Sequence, residues 1–300
     1  MNSKLLFIFN PNSGQGRIRL KLVSIIDIFT RAGYEVTVHP TMAREDATNF
    51  IIERGADFDR IVCSGGDGTL DESVKAMLRL KPEKTLGYIP AGSTNDYAKT
   101  LGISSNMEKA AQSAVDGRIK KCDVGTFNGN PFVYIAAFGA FTEVSYETNQ
   151  KAKNILGHMA YVLEGIRYVG MGNLKPIDMT IVADDRIIKD RFIYGMVANT
   201  LSVGGIKGIT GKSVSLDDGK FEVVLVRFPE DSSEANTMMA ALMAKEPDPE
   251  YFYYFKASEI SFVSETPVAW TLDGENGGAQ TDVEIRNLKQ AVSFVVPLYK

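Results

Sequence analysis

Residues 60–72 read RIVCSGGDGTLDE. Arg60–Ser64 is a short apolar run of strand composition, and Leu70–Leu80 continues at helical spacing. A glycine turn carrying Asp67 joins the two, with Asp71 and Glu72 in the first helical turn. Strand, glycine turn and helix in that order make the repeating unit of a parallel sheet covered by helices. The carboxylates need a reason, because glycine turns that enter helices bind phosphate, which is itself negative.

The same grammar repeats on either side. Lys4–Phe9 reads as a strand, and Ile18, Leu22, Ile25, Ile26 and Phe29 recur at helical spacing until Gly33. Tyr34–His39 is a strand, Ala43–Arg54 a helix capped by Thr41 or a neighbour, and Leu86–Ile89 a strand before helices at 96–101 and 106–116. Beyond about residue 125 the texture changes. Asp123–Phe127 and Phe132–Phe138 flank an Asn128-Gly129 turn, and Ile177–Ala183 and Ile187–Val197 flank Asp184-Asp185. Phe221–Phe228, Ile260–Val263, Val268–Leu272, Val283–Ile285 and Val292–Val296 read as further strands, interrupted by one helix at Ile155–Met171. The expected fold is α/β plus mainly β. A parallel-sheet domain over 1–125, completed by 290–300, precedes an antiparallel β-sandwich or curled sheet over 126–289.

Composition narrows the function. With 300 residues, a hydrophobic share of 44% and a charged share of 23%, the chain reads as an ordinary globular protein of one large or two ordinary domains. A net charge of −4 argues against a nucleic-acid binder that relies on a basic face. Cys63 and Cys122 lie at no metal-ligand spacing, which suits a reduced cytosolic compartment. His39 and His158 are too far apart in sequence to suggest a zinc site, and each reads as a surface or packing histidine. The first apolar stretch is too short for a signal sequence, and no run approaches a membrane span, so the expectation is a soluble cytoplasmic protein.

Three loops stand at the carboxyl ends of expected parallel strands: NPNSGQGR (10–17), SGGDGTLDE (64–72) and PAGSTND (90–96). Ligands of open α/β sheets bind at that edge. Ser13, Gly14, Gly65, Gly66, Gly68, Ser93 and Thr94 bring amides and hydroxyls toward phosphate oxygens, so the reading is a nucleotide site. Neither standard fingerprint is present: there is no G-x-x-x-x-G-K-[ST], and the third segment lacks G-x-G-x-x-G.

SGGDGTLDE resembles the GGDGTxNE motif of the diacylglycerol kinase catalytic-domain family, which includes sphingosine and ceramide kinases. NPNSGQGR is similar to that family's first nucleotide loop, IPAGSTNDYAKTLG to its third, and DDGKFEVVLV and LDGE to its later motifs. The matches run in order from residue 10 to 275, and the resemblance is to bacterial soluble diacylglycerol kinases. It implies an NAD-kinase-like nucleotide domain and an ATP-dependent lipid kinase that converts diacylglycerol to phosphatidic acid. It implies that Asn10, Pro11, Asn12, Ser13, Gly14, Thr41, Gly65, Gly66, Asp67, Gly68, Thr69, Glu72, Ser93, Thr94 and Asn95 meet ATP. Asp67 and Asp96 would hold the catalytic Mg²⁺, which gives the carboxylate in the glycine turn its purpose.

By the same resemblance Glu275 is the base that takes the hydroxyl proton, with Asp273 orienting it; read bare, D-G-E is a hairpin turn. A structural Mg²⁺ would sit on the Asp218 carboxylate and the backbone carbonyls of Ser215 and Lys220, where the bare reading is again a turn. Asp71 departs from the family's Asn: it caps the helix, joins the metal shell or marks weakened activity. Arg17, Arg19, Lys21, Lys151 and Lys153 would meet phosphate or anionic lipid, or form solvated helix faces. Tyr251–Phe255 reads as core rather than as lipid contact. Transient membrane association and a homodimer are expected from the relatives. An NAD kinase, and a nucleotide-sensing protein without catalysis, are the competing readings. The spacing of TND and the LDGE base speak against the first, and only Asp71 supports the second.

Overall fold

A computed structural model describes residues 3–93, 95–139, 175–200, 202–203, 206–207, 214–244 and 248–298. The expected helix at 155–171, and Thr94, Lys151 and Lys153, lie outside the described residues. The chain divides into two compact units, one of residues 1–124 with 289–300, the other of 125–288.

In the first unit β1 (Ser3–Phe9) pairs in parallel with β2 (Tyr34–Pro40) and β3 (Arg60–Gly65). Strand β4 (Thr85–Pro90) runs parallel to β3, and Ser293–Val295 of the long β15 (Glu275–Val296) add a further parallel strand on its other side. Helices α1 (Ile18–Arg31), α2 (Asp46–Arg54), α3 (Asp67–Arg79), α4 (Asp96–Leu101) and α5 (Met107–Asp116) belong to this unit. Leu5, Leu6, Phe7 and Ile8 are all fully buried, so β1 is covered on both faces; its sequence is continuously apolar rather than alternating for that reason. Phe29 of α1 meets Phe7 edge-on, with ring centres 5.4 Å apart.

One helix starts later than its sequence suggests. Thr41 does not cap α2; its N–H goes to Phe9 O at 2.9 Å and extends β2. The residue before the helix, Glu45, is left-handed (φ 64°) and makes no side-chain cap. The free amides are met from elsewhere: Glu72 Oε1 accepts Glu45 N–H at 2.9 Å and Oε2 accepts Ala47 N–H at 3.3 Å. Capping across tertiary distance leaves no local sequence mark.

Strand β5 (Arg118–Phe127) passes into the second unit. There follow β6 (Asn130–Phe132), β7 (Ile135–Gly139), β8 (Ile177–Ala183), β9 (Arg186–Ala198), the small pair β10 (Ser202–Val203) and β11 (Ile206–Lys207), β12 (Phe221–Arg227), α6 (Ser232–Ala244), β13 (Phe252–Ala257) and β14 (Glu259–Leu272). The pairings among these strands are antiparallel. The first halves of β9 and β14 flank β8 and their second halves flank β7, so both strands change partners along their length. Trp270 closes the core, with Phe138, Phe262 and Phe127 ring centres 4.8, 5.0 and 5.1 Å away. Phe252 and Phe255 are buried, Tyr251 and Tyr253 half-buried and Tyr254 exposed, so the aromatic run is core in part.

The whole is a mixed α/β protein with a β-rich second half. Strand β13 and the pair β10–β11 were not among the expected strands, and further elements differ from the sequence expectation. The two short strands expected at 260–272 are one strand with a register irregularity between Val263 and Val268, and those at 283–296 are parts of β15. Helix α6 was not expected; Asp231 caps it, its Oδ1 accepting the Ser233 and Glu234 N–H at 2.8 and 2.9 Å. The strand expected over 132–138 breaks at Val133–Tyr134, whose amides turn to a carboxylate described below.

Candidate functional site

Parallel strands bring their carboxyl ends to one edge, and three loops follow β1, β3 and β4 there. Backbone bonds tie them together: Asn10 N–H to Ser64 O at 2.9 Å, Ala91 N–H to Gly65 O at 2.8 Å and Gly92 N–H to Gly65 O at 3.2 Å. Ser13 Oγ accepts the Gly66 N–H at 3.3 Å. The first loop passes through left-handed residues Gly14, Gln15 and Gly16. Gly14 is required twice over, by its φ of 55° and because a Cβ there would lie 1.8 Å from Ala91 O. Arg17 and Arg19 fasten this loop. Arg17 Nε donates to Gly14 O at 3.2 Å, and Arg19 donates to Pro11 O and to Asn12 Oδ1 at 3.1 and 3.0 Å.

The second loop enters α3 through Gly66, and Asp67 is its first helical residue. Gly65 has no room for a side chain, since a Cβ would meet the Thr69 hydroxyl at 2.3 Å. In the third loop Asn95, left-handed at φ 51°, folds back on Gly92, accepting its N–H at 3.0 Å and donating to its C=O at 2.7 Å. Tyr88 Oη sits 3.2 Å from Gly65 O and 3.3 Å from Asn95 Oδ1, a buried tie between loops that no motif announced.

Two carboxylates face this junction. Asp96, 2% exposed, accepts from Lys99 Nζ at 3.1 Å. Burial, and then the Asp96 carboxylate, push Asp67 up to about 6, although the Tyr97 and Asn95 N–H groups and Lys99 favour its charged form. Asp67 Oδ1 is buried and has no hydrogen-bond partner among the described residues. An orphaned carboxylate oxygen beside a second carboxylate is a hard-oxygen donor set that fits Mg²⁺. Among the described residues no group of three or more His, Cys, Asp or Glu could hold a metal, so further oxygens would have to come from nucleotide phosphate or water.

Asp71 Oδ2 accepts from Lys75 Nζ at 2.6 Å, one helical turn on, so the charge that replaces the family's Asn is offset locally. Glu72 has both carboxylate oxygens on the amides at the start of α2. Lys21 is paired with Glu108 at 2.8 Å.

The second unit carries its own acidic turn. Asp273 and Gly274 are both left-handed (φ 52° and 85°) and join β14 to β15, with Leu272 opposite Glu275. The Asp273 carboxylate accepts three backbone amides: Val133 at 2.6 Å, Tyr134 at 2.9 Å and Ile135 at 3.0 Å. Asp273 therefore fixes the turn against the β6–β7 segment, and Glu275 stands exposed at the head of β15. In the loop before β12, Asp218 Oδ1 accepts the Lys220 N–H at 3.0 Å and Oδ2 pairs with Lys256 Nζ at 3.1 Å. Lys256 lies 3.0 Å from Glu222 Oε1 as well, and Glu222 is fully buried. Burial pushes Glu222 up to about 7, which the Lys256 ammonium opposes. Both oxygens of Asp218 are taken and its charge is offset from within the protein.

The sequence profile described as the diacylglycerol kinase catalytic domain matches residues 4–127. A Bacillus subtilis diacylglycerol kinase is 33% identical over 295 residues, covering 98% of this chain and 96% of its own. One from Staphylococcus epidermidis is 31% identical over 299 residues, covering 99% and 93%. Among solved structures, a Bacillus anthracis protein superposes with a TM-score of 0.82 at 28% identity, covering 98% of this chain and 95% of the other. A crystal structure of a diacylglycerol kinase from the same organism superposes at 0.75 with 24% identity, covering 98% and 97%, a likeness of fold alone.

Proposed function

The chain belongs to the diacylglycerol kinase family and is a lipid kinase, and from that premise we propose that it transfers the terminal phosphoryl group of ATP to the free hydroxyl of diacylglycerol, giving phosphatidic acid. The observation that carries the site reading is the orphaned Asp67 Oδ1 beside Asp96, at the edge where the three loops meet. Asp67 and Asp96 would hold Mg²⁺ there, and its charge would offset part of that of the nucleotide phosphates.

The loop residues Asn10–Gly14 and Gly65–Thr69, with Ser93, Thr94 and Asn95, bind the nucleotide in this reading, and Thr41 borders it. Glu72 acts by holding the start of α2. Asp67 and Asp96 carry the metal. Glu275 takes the proton from the attacking hydroxyl, and Asp273 positions it through the turn. Catalysis of this kind rests on positioning and on charge placed where the phosphoryl group passes. The substrate resides in a membrane, so the enzyme works by peripheral, transient contact from the cytoplasm, as a homodimer. No helix among the described residues is long and apolar enough to cross a bilayer.

The test is ATP consumption in detergent micelles containing diacylglycerol, phosphatidylglycerol or a sphingoid base, with NAD and an acceptor-free control alongside. Turnover that needs diacylglycerol and Mg²⁺ is expected. Preference for another acceptor would overturn the substrate, and ATP use indifferent to any acceptor would overturn the transfer.

A further inference from the structure

The site reading leaves a charge problem. A polyphosphate is brought beside two carboxylates, and one divalent cation cannot offset them all. A P-loop would contribute a lysine here, and this chain has none.

Cations near the loops are mostly committed. Arg19 fastens the first loop, Lys21 pairs with Glu108 and Lys75 with Asp71. Arg17 and Lys99 differ. Arg17 uses only Nε–H, on Gly14 O, and its remaining N–H groups have no acceptor among the described residues. Lys99, its side chain 40% exposed, uses one donor on Asp96. Both line a cavity of about 310 Å³ within the first unit. Its wall includes Gly92 and Ser93 of the third loop and Ser105, with Met107 among its apolar members and no Asp or Glu. Two cations, two hydroxyls and a glycine backbone, without a carboxylate, make a wall suited to a phosphate ester.

We propose that Arg17 and Lys99 form a phosphate clamp on this cavity, taking phosphate oxygens of the nucleotide and standing in for the absent P-loop lysine. The clamp rests on the reading of the three loops as a nucleotide site. It assigns to Lys99 a role beyond the i,i+3 pair with Asp96, and to Arg17 a role beyond fastening the loop. Phosphate of an anionic lipid has the same chemistry, and the experiment separates the two sources.

Arg17→Gln, Lys99→Gln and Lys99→Arg are compared with the parent by titration with MgATP, titration with adenosine, and co-sedimentation with phosphatidylglycerol vesicles. Loss of a charge-assisted bond predicts that each Gln variant binds MgATP about ten- to a hundredfold more weakly. Adenosine, having no phosphate, should bind as to the parent, and Lys99→Arg should retain MgATP affinity. Loss of vesicle binding with MgATP affinity intact would keep the phosphate site and assign it to lipid. Unchanged binding of MgATP and vesicles, or MgATP and adenosine weakening together with a lower Tm, overturns the clamp. If the parent phosphorylates diacylglycerol while the Gln variants titrate like it, the clamp alone falls. If the parent binds no MgATP, the nucleotide site falls with it.

Discussion

Gly66 and Gly92 meet backbone to backbone: a methyl group on Gly92 would lie 2.6 Å from the Gly66 Cα. The second and third loops therefore touch where Gly92 has no room for a side chain. Gly92→Ala must push them apart, lengthening the bond from Gly92 N–H to Gly65 O. Overpacking predicts a stability loss of about 1–3 kcal/mol. Affinity for MgATP should fall further than stability implies, because the turn amides lose their alignment. Denaturant unfolding and MgATP titration check this, and parent-like affinity would remove the junction from the nucleotide site.

Asp67 gives a pH signature. Its folded value, about 6, lies above the ordinary 3.8, so the folded state holds the proton more tightly than the unfolded chain. Its contribution to stability is greatest below about 4 and is lost as pH rises through about 6. Without metal, Asp67→Asn should exceed the parent in stability by about 1–3 kcal/mol at pH 8, an advantage that fades toward pH 4. With Mg²⁺ and ATP the order should reverse, since the amide is a poor ligand for a hard cation. Melting curves across pH in EDTA and in MgATP measure both arms. A pH-independent difference would show that Asp67 does not titrate as described.

Glu275 and Asp273 should separate in their effects. Glu275→Gln keeps shape and removes the base, so kcat should drop by about 10²–10⁴-fold with unchanged stability and MgATP affinity. Asp273→Ala leaves the Val133, Tyr134 and Ile135 amides without their acceptor and should cost about 3 kcal/mol. Steady-state kinetics beside chemical denaturation tests the pair; a fully active Glu275→Gln would mean the proton leaves by another route.

Lys256 is the cation on which Asp218 and Glu222 depend. Lys256→Met should lose about 3 kcal/mol at pH 8, because a buried carboxylate loses its partner. The loss should shrink at pH 5, below the raised value of about 7, where Glu222 is already protonated. The resemblance puts a structural Mg²⁺ at this same loop, and a fall in the Tm of the parent on chelation with EDTA is then expected; an unchanged Tm would leave Lys256 as the cation there.

The parts legible in sequence were those with local causes. The three loops announced themselves because glycine and a helical period lie next to one another in the chain, and Asp67 because it is a carboxylate inside such a turn. Structure set by distant partners was not legible. The broken strand at Val133–Tyr134 answers to Asp273, 139 residues on from Tyr134. The delayed start of α2 answers to Glu72. The polar run ENGGAQTD lies outside the strands the sequence suggests, yet it is the start of β15. Lys99 carries no mark in the sequence, because a lysine three residues after an aspartate looks like any exposed helix face.

Ser293–Val295 pair with β4 in the first unit, although Glu275 opens the same strand in the second. During synthesis β4 therefore leaves the ribosome some two hundred residues before its neighbour. Over that interval it has an open edge, the kind of surface that recruits other chains. The second unit has every chance to fold first, and it delivers the closing strand when Phe294 and Val295 reach their buried places. The first unit, first to be made, is the last to be finished.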